Sequence, residues 1–167
     1  MTTTRVSRAG YHHGDLPNAL ADALQQGVDA GDPLPRPADQ ALARFRNLGA
    51  AYIRFALDNP GLFHAAFVLH SPFCRDELVL GDVEEEIAAS RPYQILAEAL
   101  DELVAVGLLD QARREMAPIA FWSSVHGLAT LLLDGPLAGL GEPQRANAIK
   151  RTMDILSDGI RCSPRSA

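Results

Sequence analysis

Ile119–Leu133 reads IAFWSSVHGLATLLL. Apolar residues recur on every side of a 3.6-residue turn, so the stretch predicts a helix that must be covered all round, by its own domain or by a second copy of the chain. It is too short for the roughly 18 apolar residues of a membrane span and carries Ser123, Ser124 and His126, so it reads as a buried core helix. "DGPLAGLGEP" breaks it, and Pro143 begins a last helix to about Ile160. There Ile149, Met153, Leu156 and Ile160 form one stripe, and Ala148, Thr152, Ile155 and Gly159 form an adjacent one whose mostly small side chains permit close helix approach. Two final helices with more apolar surface than one subunit needs predict a four-helix dimer interface, with Leu128 and Leu132 on the first and Ala148, Thr152, Ile155 and Gly159 on the second. Core packing within a monomer is the competing explanation.

Working outward, no segment alternates apolar and polar residues convincingly, so the fold expected is an all-α helical bundle. "YHHGDLPNALADALQQGVDAGDPLPRP", residues 11–37, reads as one amphipathic helix on Leu16, Leu20, Ala23, Leu24, Gly27 and Val28, closed by Gly31 and Pro33. A helix over about 38–58 follows, with Leu42, Phe45, Leu48, Tyr52 and Phe55 on its apolar face. Asn59 caps, with Pro60 in the first turn, a short helix carrying Leu62, Phe63, Ala66 and Phe67. Residues 71–92 read as a loop with one helical turn, and Glu84, Glu85 and Glu86 as a solvated face. Ser90 caps a helix to about Val106, buried through Leu96, Leu100 and Leu103 and ended by Gly107. A long helix from about Asp110 to Leu133, kinked at Pro118, comes next.

The 167 residues fit one domain, able to bury roughly two-thirds of its unfolded surface. At 47% hydrophobic and 22% charged the chain has the composition of a soluble globular protein. No apolar run near the amino terminus resembles a signal peptide, so a cytoplasmic location is expected, with Cys74 and Cys162 as inert thiols. A net charge of −6 argues against broad attraction to nucleic acid. Only the amino-terminal arm differs, where Arg5, Arg8, His12 and His13 precede the first acid, Asp15. That arm is either a frayed terminus or a phosphate contact.

His64, His70 and Cys74 do not share one helical face, and no zinc-binding spacing is present, so no metal or other cofactor is expected. Ser123, Ser124 and His126 lie too close along one helix to align as nucleophile and base, and no nucleophile elbow or phosphate loop exists, so no enzymatic activity is expected. Trp122 and His126, four residues apart, can project into one cavity, the imidazole donating to an effector oxygen beside the apolar indole. A core histidine bonded to a backbone carbonyl is the alternative.

Three stretches carry a family resemblance. "YHHGDL", Tyr11–Leu16, resembles the start of the first helix in TetR-family transcriptional regulators; "LGAAYIRFALDNPGLFHAAF", Leu48–Phe67, and "FWSSVHGLATLL", Phe121–Leu132, resemble one group of their C-terminal domains, that with a Trp-x-x-x-His-Gly signature. The resemblance implies a homodimeric repressor in which an N-terminal helix-turn-helix reads operator DNA and the C-terminal helices bind a small effector. It gathers Phe63, Phe67, Phe73 and Tyr93 around the interior of the bundle, as core residues first and as candidates, with Trp122 and His126, for lining an effector pocket, and assigns Arg5, Arg8, His12 and His13 to a DNA-facing arm. In the family, "YHHGDL" leads into the reading helices, whereas here "YHHGDLPNAL" passes straight into "ADALQQGVDAGDP", which resembles the fourth helix. Leu20 and Ala21 thus read as the edges of a missing segment, whether deleted, engineered out or closed up in the numbering; Pro17 is a further departure. The expected organisation is residues 1–20 as the remnant of the DNA-binding region, 21–162 as the effector-binding and dimerisation domain, and 163–167 as a tail. Operator DNA is an expected partner only with the missing segment present. A helical ligand-binding or dimerisation module that does not bind DNA is the alternative.

Overall fold

Pro37 and Asn59 bracket the helix around which the bundle is built. The computed structural model describes residues 15–64 and 89–161, with side chains from Asn18 onward. Its elements are α1 Asp15–Asp29, α2 Pro37–Asp58, α3 Pro60–His64, α4 Arg91–Ala105, α5 Gln111–Arg114, α6 Ala117–Leu133 and α7 Glu142–Arg161. Among the described residues there is no strand, and no helix is long and apolar enough to cross a membrane.

Pro37 opens α2 where a missing amide hydrogen costs nothing. Asp39 in the first turn pairs with Arg36 at 2.6 Å and complements the positive end of the helix. At the other end the backbone N–H and side-chain amide of Asn59 donate to the Phe55 carbonyl at 2.9 and 3.1 Å. Pro60 then begins α3. Leu42, Phe45, Leu48, Tyr52 and Phe55 are all buried, as their spacing predicts, and so are Ala41, Ile53 and Ala56. A single stripe would not bury so many; α2 does because α1, α3, α4, α6 and α7 all pack on it. The rings of Phe45 and Phe121 meet at 4.7 Å, tilted by 51°.

α1 runs unbroken across Leu20 and Ala21, and both side chains, with Leu24, are buried in the core shared with α2 and α4. Gly31, at φ 102°, ends it in the left-handed region that glycine tolerates best. The Asn47 side chain donates to the Ala30 carbonyl at 3.0 Å, satisfying a group that the helix end leaves open. At Gly27 the two helices nearly touch: a β-carbon there would lie 2.5 Å from that of Ala51 and 3.0 Å from the Asn47 carbonyl oxygen. Gly27→Ala is therefore expected to destabilise the fold by up to about 2 kcal/mol, since overpacking costs about 1–3 and the better helix propensity returns about 1. Urea unfolding checks this, and a gain in stability would mean that α1 has room to move away.

The long helix expected from Asp110 to Leu133 is two helices. The Asp110 carboxylate accepts from the Ala112 amide at 2.8 Å and caps the single turn of α5. The chain breaks at Glu115 and Met116, and Pro118 falls in the first turn of α6 instead of kinking a continuous helix. The reason is steric: inside a helix the Pro118 ring would collide with the Arg114 carbonyl, and α5 stops at Arg114.

α7 is joined to α2 by a polar cluster. Ser157, fully buried, donates to the Met153 carbonyl at 2.6 Å and accepts from Arg46 Nε at 3.0 Å, while the same guanidinium pairs with Asp154. Lys150 reaches the other Asp154 oxygen at 2.6 Å, and these cations hold the Asp154 carboxyl below its usual range, the Lys150 hydrogen bond foremost. Of the expected apolar stripe, Met153 is buried and Ile149, Leu156 and Ile160 pack half-buried against the core.

Candidate functional site

Three helices converge on one buried hydroxyl. Tyr52 points from the middle of α2 toward α6, where Trp122 and His126 stand one turn apart. Trp122 Nε1–H donates to Tyr52 Oη at 3.2 Å, and Tyr52 Oη lies 3.0 Å from His126 Nδ1. Phe63, brought alongside by the Asn59–Pro60 corner, stacks on the imidazole with centroids 5.2 Å apart and planes 30° apart, and meets the Tyr52 ring edge-on at 6.1 Å.

Burial sets the charge state of this cluster. It pushes the Tyr52 hydroxyl above its usual range, against a smaller opposing effect of the Trp122 hydrogen bond, and pulls the His126 imidazole down. Both groups are neutral at neutral pH. The cluster thus offers aromatic surface with a few fixed polar atoms, the usual composition of a small-molecule site.

Next to it, His64 at the end of α3 has acceptors on both ring nitrogens, the Pro60 carbonyl at 2.6 Å and Asp134 at 2.5 Å. Chiefly the Asp134 hydrogen bond, then the Pro60 one, raises its pKa. The two histidines therefore tilt stability in opposite directions with pH. The fold favours charged His64, so that contribution is full below about pH 6.5 and fades as pH climbs toward the raised value. It favours neutral His126, so that contribution is full above about pH 6.5 and fades as pH falls. In thermal scans the advantage of the wild type over His64→Asn should shrink as pH rises above about 6.5; a constant advantage would mean that the Asp134 contact carries none of it.

Of the residues expected at an effector pocket, the structure brings together Phe63, Trp122 and His126. Tyr93, at the start of α4, is half-buried, and among the described residues no hydrogen bond or ring contact joins it to them. Phe67 and Phe73 lie outside the described residues, as do Arg5, Arg8, His12 and His13 of the arm, and His70, Cys74 and Cys162. Sequence reasoning placed Tyr52 in the apolar face and missed its role. The available signal was a hydroxyl on a buried face, which needs partners, opposite an indole that can only donate. Ser124 and Thr130 are committed to the carbonyls of Ala120 and His126 at 2.8 and 3.0 Å, and Ser123 is exposed.

For the dimer face, Leu128 and Leu132 are buried within the subunit beside Val125 and Ala129, on the side of α6 turned to the core. The opposite side exposes Ile119, Ala120, Ser123, Thr130 and Leu131, with no charged residue between Ala117 and Leu133. On α7, Ile155 is 68% exposed and Gly159 is exposed, while Ala148 and Thr152 are half-buried. A groove of about 510 Å³ between α2 and α7, walled by Arg46, Arg54, Arg145 and Lys150 with Asp58 and Glu142, contains none of the four cluster residues.

A family model described as Tetracyclin repressor-like, C-terminal domain, matches residues 45–156. That range contains Tyr52, Phe63, Trp122 and His126. Comparisons with curated proteins and with solved structures give no match.

Proposed function

The chain belongs to the tetracyclin repressor-like C-terminal domain family, and from that premise we propose that it is a TetR-like transcriptional repressor controlled by a small effector bound among α2, α3 and α6. One observation carries this proposal: the neutral, hydrogen-bonded Trp122–Tyr52–His126 chain under the Phe63 ring, inside the matched range. Phe67 and Phe73, a few residues beyond α3, and Tyr93 are proposed to complete the pocket wall. Two subunits pair through the uncharged outer face of α6 and the Ala148, Thr152, Ile155 and Gly159 stripe of α7, each hiding what the other exposes. The protein works in the cytoplasm, without turnover and without a cofactor.

Residues 1–20 are proposed as the remainder of a DNA-reading region whose arm, Arg5, Arg8, His12 and His13, touches phosphates. In a dimer carrying reading helices, half-sites about 34–36 Å apart are engaged together, and an effector that binds better to another spacing releases the DNA. A second reading, a helical ligand-binding or dimerisation module that does not bind DNA, is favoured by a specific observation: α1 passes through Leu20 and Ala21 without interruption, and both side chains are packed in the core. Selection of random duplexes by the purified chain separates the two. Enrichment of an inverted repeat, weakened by salt, supports the regulator; a dimeric chain that enriches nothing overturns DNA binding and leaves the module.

A further inference from the structure

We propose that the groove between α2 and α7 is a ligand site of its own, apart from the aromatic cluster, and that it takes an organic monoanion: a carboxylate or sulfonate headgroup on an apolar body. Charge and apolar surface are distributed along the two helices in the way such a molecule needs.

The two helices run in opposite directions, since Arg46 meets Asp154 and Ser157 while Gly49, further along α2, lies against Met153. In that register Asp58 and Glu142 stand together at the far end of the groove, about 18 Å from the Arg46–Asp154 pair at a rise of about 1.5 Å per residue. The floor is apolar: Met153 is buried, and Ala50, Leu57 and Ile149 beside it are half-buried. Charge on the rim is uneven. At the near end one carboxylate, Asp154, serves both Arg46 and Lys150, which leaves a positive charge over. Arg145 is fixed by the Leu140 and Ala138 carbonyls at 2.8 and 3.3 Å, uncharged partners that do not neutralise it. Arg54, exposed on the facing helix, forms no ion pair among the described residues. On a chain of net charge −6, this stretch of the groove has the opposite sign. Arg54 and Lys150 lie about one turn apart in the register, so a headgroup between them gains charge-assisted hydrogen bonds from both helices. Its apolar body then covers Ala50 and Ile149. The volume of about 510 Å³ suits a small molecule. A second negative charge at the far end of an extended ligand meets Asp58 and Glu142, so the groove discriminates against diacids.

Octanoate, 1-octanol and octanedioate are the probes, followed by carbon–proton NMR of the full chain. Octanoate is expected to shift the Ile149 and Met153 methyl signals, with 1-octanol and octanedioate each binding roughly tenfold more weakly. Arg54→Glu, a change at an exposed position, should weaken octanoate binding at least about fivefold and leave the helical circular dichroism spectrum unchanged. Equal binding of octanoate and either comparison probe, an unchanged affinity in Arg54→Glu, or no octanoate binding overturns the proposal. So do octanoate shifts confined to the rings of Phe63 and Trp122, a result that moves the anion to the aromatic cluster and leaves the effector site proposed there standing.

Discussion

Phe45→Ala is expected to lower the free energy of unfolding by about 3–5 kcal/mol, the usual range for a large aromatic ring removed from a core. Phe45 is 1% exposed, and its ring lies against Phe121 from α6 at 4.7 Å, so truncation removes burial and an aromatic contact together. Collapse into the space is resisted because α2 is gripped by α1, α4, α6 and α7, and a helix held from several sides cannot shift toward one neighbour without leaving another. Since small domains have only about 5–15 kcal/mol in total, this variant should approach the edge of folding at body temperature. Chemical denaturation reads the change directly. A loss below about 1 kcal/mol would mean that the α2–α6 contact is loosely packed.

Ile155→Glu should turn a dimer into single subunits while leaving each subunit folded. In one subunit the side chain is 68% exposed, so glutamate there costs a few tenths of a kcal/mol at most. At a closed twofold interface each dimer would bury two carboxylates against an uncharged partner face, at a cost of about 3–5 kcal/mol for each unpaired charge. The dissociation constant should rise by at least about a hundredfold, with an unchanged helical circular dichroism spectrum. Leu131→Glu, on the exposed face of α6, should act in the same way. Variants that remain dimeric would move the interface elsewhere, with the α2–α7 groove as the next place to look.

Much of the bundle is legible in the sequence because single-sided helices announce their buried face. The spacing of Leu42, Phe45, Leu48, Tyr52 and Phe55 predicts α2, and Asn59 with Pro60 predicts the corner into α3, because both rest on local backbone chemistry. Pro118 is harder to interpret: a proline kink and a proline first turn look alike in sequence, and the break of the chain at Glu115 and Met116, which separates α5 from α6, distinguishes them. α6 conceals its orientation for the reason that makes it stand out. With apolar residues on every side, periodicity cannot tell Leu128 and Leu132, which are buried, from Leu131, which is exposed. The site was half visible: Trp122 and His126 lie four residues apart, but their link runs through Tyr52, 70 and 74 positions away, and no local pattern records a contact of that range. The Arg46, Asp154 and Ser157 cluster that fastens α7 to α2 was hidden for the same reason.

The proposed regulator requires a bundle that two subunits complete together, with the proposed effector cluster on the helix proposed as their shared face. Sedimentation equilibrium of the whole chain at low micromolar concentration tests this most directly. The prediction is twice the chain mass, falling to the single mass in Ile155→Glu. A wild-type chain that sediments as one subunit, with Ile119, Leu131 and Ile155 left in water, would contradict it.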